Sequence, residues 1–242
     1  MTRRRWIADE VSGDRAFLLG KNADHLVRVL RARVGQQFEI ATPEGVRIGE
    51  IVEIEPNRVV FSTNKLPDFS DATNALVQIG LYLCVFKFDR FEWAVEKCTE
   101  LGVDRIVPLI ANRTDVHLAA AARKRVERWR RIAHEAAQQS RRDKAPEISE
   151  PEKLPKIIAV VSGKRIVLSE TERAQRLADV VRGEAELSLA IGPEGGWTDS
   201  ELDLFKNNHW VSASLGPTIL RAETAALAAV TIAQSSPPSQ AQ

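Results

Sequence analysis

The stretch "LAIGPEGGWTDSEL", residues 189–202, decides how this chain is read. An apolar run stops at Gly192-Pro193-Glu194-Gly195-Gly196. Directly after it, Thr198 with Glu201 three positions on forms a capping box, the signature of a helix start. The loop therefore joins a strand end to a helix, which is where open α/β sheets gather ligands. It is not a P-loop, because no Lys-Ser/Thr follows, and its spacing is not GxGxxG. A carboxylate at Glu194 would also repel a phosphate.

A ligand without phosphate fits better. Glycine lets main-chain amides and carbonyls approach closely, and such groups can read an adenine edge without side-chain charge. A nucleoside carrying a cation would tolerate Glu194, and S-adenosylmethionine has both properties. A plain strand-to-helix turn remains the alternative for this motif alone. A second loop, "LGPTILRAETAALAAV" at 215–230, opens with Leu215-Gly216-Pro217 and leads into the last helix through Arg221, Glu223 and Thr224. The helix dipole favours Glu223 there, whereas an arginine gains nothing from it and needs another reason to be present. Two glycine-bearing loops after the last two strands point to one pocket built from both.

Moving outward, the 242 residues carry a formal net charge of +1, which argues against a generic polyanion binder. Locally the balance differs. Arg123, Lys124, Arg125, Arg128, Arg130, Arg131, Arg141, Arg142 and Lys144 face only Glu127, Glu135 and Asp143, a basic patch that suits either a nucleic-acid contact or a solvated helix face. No segment is apolar enough to span a bilayer, and no h-region follows the basic opening residues, so a cytoplasmic protein is expected. Cys84 and Cys98 form no CxxC pair, and His25, His117, His134 and His209 lack ligand spacing; neither a disulfide framework nor a metal site is expected.

From Trp6 to about Asn64, short alternating pieces separated by Thr42-Pro43-Glu44-Gly45 and Glu55-Pro56-Asn57 read as a small β-barrel or sandwich with a helical piece at "ADHLVRVLR". "KLPDFSDATNA" reads as a linker, placing a domain boundary near residue 72. Beyond it, strands and helices alternate. "LVQIGLYLCVF", "VDRIVPLI", "KRIVLSE", "LSLAIG" and "VSASLG" are strands, and "DRFEWAVEKCTELG" is a helix with an apolar stripe through Phe91, Val95 and Cys98. "AARKRVERWRRIAHEAAQQS" is an amphipathic helix with Val126, Trp129 and Ala133 inward, and the helix from about Ala222 to Gln234 is apolar almost all round. Glu92 and Glu96 are expected to pair with neighbours along their own helix. The expected organisation is thus 1–72, a small β domain; 73–236, an α/β domain; and 237–242, a disordered tail.

These residues resemble the SPOUT class of methyltransferases and, within it, the ribosomal RNA small subunit methyltransferase E family, which makes N3-methyluridine in 16S rRNA. The resemblance is carried by "HLVRVLR" at 25–31, "KFDRFEWAVEKCTELGV" at 87–103 with Pro108, "EAAQQSRRDKAPEI" at 135–148, and the loops "IGPEGGW" and "LGPTILRAETAAL". Residues 43–72 and 149–186 match weakly. The resemblance implies a PUA-like, RNA-binding β-barrel, a C-terminal α/β domain tied in a trefoil knot, a homodimer, S-adenosylmethionine as cofactor, and 16S ribosomal RNA or the small ribosomal subunit as partner. By motif position, the cofactor would be held by Ile191, Gly192, Pro193, Glu194, Gly195 and Gly196, by Leu215, Gly216, Pro217, Ile219, Leu220 and Thr224, and by Ser169 and Glu170. The chain departs from the family pattern at Thr218, often arginine, and at Arg141, often glycine or another small residue.

A uridine N3 carries an imide proton and is a poor nucleophile until that proton leaves. Arg221 is therefore expected to fix the base or stabilise charge on its carbonyl oxygens, with an ion pair to Glu223 as its structural alternative. Glu194, Glu223 or water would accept the proton. Arg28, Arg31, Arg141, Arg142 and Lys144 are the expected RNA contacts. Two other outcomes stay open on residues alone: another SPOUT target, either a different base or a ribose 2'-hydroxyl, and an RNA-binding assembly factor without transfer activity.

Overall fold

The N-terminal residues make the expected short strands: β1 (Trp6–Ile7), β2 (Glu10–Ser12), β3 (Arg15–Leu19), β4 (Gln37–Thr42), β5 (Gly45–Glu55) and β6 (Arg58–Lys65). They form one six-stranded sheet in the order β1-β4-β5-β6-β3-β2, antiparallel except where β1 pairs with β4. The expected turns close it, with the Thr42 hydroxyl donating to the Gly45 carbonyl and Asn57 in the left-handed region at φ 68°. Between β3 and β4 lies helix α1 (Gly20–Asp24), which runs into a π-helical turn at His25–Val29. Trp6, Leu18, Leu26, Ile40, Ile51 and Phe61 are buried together as the core.

The computed structural model describes residues 4–65 and 77–236. All but the first residue of the linker expected at 65–75, and the tail expected at 237–242, lie outside them. The described chain divides into two compact units, one of 4–65 with Ala137–Ala145, the other of 77–136 with 146–236. The short insertion is held to the small sheet by charge: Glu39 pairs with Arg5 at 3.2 Å and with Arg141 at 2.6 Å, and the Arg5 amide donates to the Gln138 carbonyl. Arg141 sits at φ 63°, a conformation that favours glycine and that accounts physically for a small residue at this point.

The larger unit alternates strand and helix: β7 (Gln78–Cys84), α2 (Phe88–Glu100), β8 (Arg105–Ile110), α3 (Val116–Ala122), α4 (Val126–Gln139), β9 (Glu147–Ile148), β10 (Glu152–Lys153), α5 (Leu154–Ile157), β11 (Lys164–Leu168), α6 (Leu177–Val180), β12 (Glu186–Ile191), α7 (Asp199–Asn207), β13 (Val211–Ala213) and α8 (Ala222–Gln234). Every strand pairing is parallel, in the order β10-β8-β7-β12-β11-β13, with β9 also on β8. Parallel sheets are covered on both faces, which is why these strands read as continuous apolar runs. In β7, Ile79, Leu81 and Leu83 face a core shared with α2, α4 and α8, while Tyr82 and Cys84 face a second core with α5 and α7. The predicted inward stripes of α2 and α4 are fully buried.

Two local differences emerge. The single helix expected over 121–140 is divided, because α3, N-capped by Asp115, ends at Ala122 and a tight helical turn at Arg123–Arg125 precedes α4. Glu92 pairs across space with Arg128 at 2.7 Å and Arg125 at 3.6 Å rather than along its own helix, so part of the basic patch is neutralised. Cys84 and Cys98 are free and buried, and burial pushes the Cys98 thiol up to about 12.

Candidate active site

Strands β12, β11 and β13 are adjacent and parallel, so their carboxyl ends open on one side of the sheet. Loops leaving all three ends enclose a cavity of ≈ 370 Å³. Its wall takes Ser169, Glu170 and Arg173 from the loop after β11, Ile191–Glu194, Gly196 and Trp197 from the end of β12 and its loop, and Leu215–Arg221 from the loop after β13. The two loops singled out in the sequence thus meet, as does the earlier strand end at Ser169 and Glu170.

The loop after β12 is bound internally. Trp197 is buried, donates its indole N–H to the Leu168 carbonyl at 3.0 Å and packs edge-on to Phe205. Its ring lies so close under Gly192 that a Cβ there would sit 3.1 Å from it. Gly192 is glycine because its own tryptophan needs the space. Gly196 has φ 71° and donates to the Pro193 carbonyl, closing the turn. Arg113 grips the far side, donating to the carbonyls of Gly195 at 2.7 Å and Trp197 at 3.3 Å. The predicted capping box is present, and the second oxygen of Glu201 accepts from the Asn112 amide at 2.8 Å.

The loop after β13 has the opposite character. Between Leu215 and Leu220 no main-chain N–H or carbonyl has a hydrogen-bond partner among the described residues. Leu215, Gly216 and Leu220 are half-buried and Pro217–Ile219 exposed, so these main-chain groups on the cavity wall are open to water or to a ligand's polar edges. Leu168, Ile191, Leu202, Ala213 and Ala225 add apolar wall beside it. No lysine lines the cavity. Main-chain donors and acceptors beside apolar side chains, with carboxylates at Glu170 and Glu194 as well as arginines at the wall, fit a nucleoside with a sulfonium tail, the pattern expected of a small-molecule site.

Arg221 is exposed on this wall and N-caps α8, its carbonyl accepting from the Ala225 amide at 2.8 Å, while its side chain has no hydrogen-bond or ion-pair partner among the described residues. The alternative pairing with Glu223 is not made. Glu223 is buried and instead lies 3.8 Å from Arg90, whose other nitrogen donates to Glu194 at 3.4 Å. Arg90, in the first turn of α2, also lines the cavity. Three expected site residues are not on the wall: Gly195 turns its carbonyl to Arg113, Glu223 lies behind the wall, and Thr224 is exposed on the helix. Ser169 shares a hydrogen bond with Thr171 at 2.8 Å. Sequence reasoning missed Arg90, Arg113 and Arg173. The segment "KFDRFEW" held a clue, since an arginine in a helix's first turn gains nothing from the dipole.

The expected RNA contacts all belong to the smaller unit. Arg31 and Lys144 are exposed, and Arg28 is exposed with a 3.3 Å ion pair to Asp24. Arg141 is committed to Glu39, and Arg142 is half-buried. Among the described residues, no cluster of His, Cys, Asp or Glu is placed to hold a metal, and no helix is long and apolar enough to cross a membrane.

Residues 73–234 match the family model of the RNA methyltransferase domain, and the chain belongs to that family. Its relatives narrow the class. Ribosomal RNA small subunit methyltransferase E of Bacillus subtilis is 29% identical over 231 residues, covering 88% of this chain and 87% of its own length. The protein of that name from Mycobacterium tuberculosis is 29% identical over 227 residues, covering 91% and 83%. Among solved structures, a Neisseria gonorrhoeae ribosomal RNA small subunit methyltransferase E bound to S-adenosyl methionine superposes with a TM-score of 0.84 at 26% identity, over 96% of this chain and 97% of that one. A Legionella pneumophila methyltransferase in complex with the bound cofactor SAM gives 0.82 at 26%, over 97% of each. The α/β fold is that of these methyltransferases, and the family resemblance drawn from the loops holds.

Proposed function

We propose that this chain methylates N3 of a uridine in the 16S rRNA of the small ribosomal subunit, using S-adenosylmethionine. The observation that carries this is the meeting of the two loops: the main chain at Leu215–Leu220, without a hydrogen-bond partner among the described residues, shares one cavity with the Gly192–Trp197 turn, and the Arg221 side chain on the same wall is likewise without a partner among them. Bound there, S-adenosylmethionine supplies an electrophilic methyl group. Backbone groups of 215–220 hold its polar edges, and Ile191, Leu202 and Ala225 exclude water beside it.

Arg221 offers a planar fork to the carbonyl oxygens flanking N3, stabilising the negative charge that builds as the imide proton leaves. Of the two carboxylates expected to accept that proton we favour Glu194, which is exposed on the wall, over Glu223, which is buried and does not line it. Because N3 takes part in Watson-Crick pairing, the base enters unpaired or flipped. Arg28, Arg31, Arg142 and Lys144 of the smaller unit, and Arg173 on the cavity wall, supply charge for the RNA backbone.

The same reading takes the six-stranded sheet as a PUA-like RNA-binding domain and the parallel unit as a SPOUT domain closed by a trefoil knot. It makes the working form a homodimer in the cytoplasm, where ribosomal subunits are assembled. The test is twofold. Calorimetry should show S-adenosylmethionine binding, and 16S rRNA from a deletion strain should lack N3-methyluridine by nucleoside mass spectrometry. Persistence of that nucleoside removes the proposal.

A further inference from the structure

We propose that Arg90 is a positioning residue: its guanidinium, which also reaches Glu194, compensates the buried carboxylate of Glu223 and so keeps the start of α8 in place as cavity wall. The inference rests on the methyltransferase reading above for what the cavity holds. Arg90 lies in the first turn of α2, where the positive end of the helix opposes a cation. Two carboxylates from distant parts of the chain offset that opposition. Arg90 Nη1 is 3.4 Å from Glu194 Oε1 and its Nε is 3.8 Å from Glu223 Oε1.

Glu223 needs this partner most. Its side chain is 10% exposed, and its Oε2 has no hydrogen-bond partner among the described residues. The N-terminus of α8 and Arg90 are what compensate its charge, and a buried carboxylate deprived of its cation is strongly unfavourable. Glu194 is largely solvated, so the pair it makes is weak. One arginine thus meets α2, the turn after β12 and α8, all three of which carry cavity wall. It also explains why Arg221 has no carboxylate on it. The one buried acid at the start of α8 is held by Arg90, which leaves the Arg221 fork for the acceptor.

Removing the cation should displace the start of α8, and neutralising Glu223 should undo the damage. The experiment measures S-adenosylmethionine affinity by calorimetry, and KM for cofactor and for small subunits lacking the methyl group, on the full-length protein. Arg90→Met should weaken cofactor binding about tenfold or more and raise the cofactor KM, with KM for the subunit unchanged within about twofold. Arg90→Lys, which keeps the charge, should stay within about threefold of wild type, and Arg90→Met/Glu223→Gln should return to that range. Wild-type affinity in Arg90→Met, or a deficit that Glu223→Gln leaves intact, overturns the proposal. If Arg90→Met fails to fold while the double variant folds and binds, compensation is supported; if the double variant also fails to fold, compensation is rejected. A wild-type protein that does not bind S-adenosylmethionine refutes the methyltransferase reading instead, so the two failures are distinct.

Discussion

The turn after β12 and the loop after β13 both contain glycine, both follow strand ends and both face the same cavity, yet they use their bare backbone differently. In the first, glycine makes room for the protein itself: the Trp197 ring lies under Gly192 and Arg113 occupies the carbonyls of Gly195 and Trp197. In the second, main-chain groups from Leu215 to Leu220 have no hydrogen-bond partners among the described residues. A glycine-rich loop is therefore no ligand site by composition. Hydrogen-bond partnership separates a rigid wall from a receptive one.

Substitutions can break this contrast. Trp197→Ala should cost about 3–5 kcal/mol of stability in urea unfolding, because it opens a cavity and leaves the Leu168 carbonyl unpaired, whereas Ile219→Ala, at 79% exposure, should change it by about 0.5 kcal/mol or less. Equal losses would erase the distinction. Arg221→Ala should lower single-turnover methyl transfer by about a hundredfold or more while cofactor affinity stays within about tenfold; unchanged transfer would remove Arg221 from the chemistry. Arg113→Ala should cost about 1 kcal/mol, since its bonds to two carbonyls are charge-assisted but partly solvated, and calorimetry should show weaker cofactor binding through the loosened turn.

The smallest effect concerns the loop after β11. There the Ala174 and Gln175 amides donate to Glu172 and hold its carboxyl below its ordinary value. A depressed folded-state value means the stabilisation is present at neutral pH and is lost as pH falls through the folded value. The melting temperature of Glu172→Gln should therefore lie slightly below wild type at pH 7, and the gap should close in acid. A gap independent of pH would show that the carboxylate charge is not what orders this loop.

The parts of this molecule legible in the sequence are those governed by near neighbours. The capping box spans three positions, the stripe Phe91-Val95-Cys98 one helix face, and the apolar runs of β7 and β12 follow from burial on both sides. What stayed hidden depends on residues far apart. Arg90 reaches Glu194 across 104 positions and Arg113 reaches Gly195 across 82, and no periodicity records such a pairing. The placement of Glu223 behind the wall was hidden for the same reason, since its first-turn position fits the dipole equally well with or without a partner. The attachment of Ala137–Ala145 to the small sheet rests on Glu39, about a hundred residues earlier, which reads from sequence as an ordinary surface acid.

The place of β12 in the sheet bears on how the protein is made. It pairs with β7 on one side and β11 on the other, so a strand translated late fills the centre of the sheet. Until Glu186–Ile191 has emerged from the ribosome, β7 shows an open edge and β11 has no neighbour at all, since its other partner, β13, comes later still. Nascent chains with unfilled edges of this kind are slow to complete and prone to associate, so a stop codon placed shortly before residue 186 should yield aggregate rather than a smaller soluble domain.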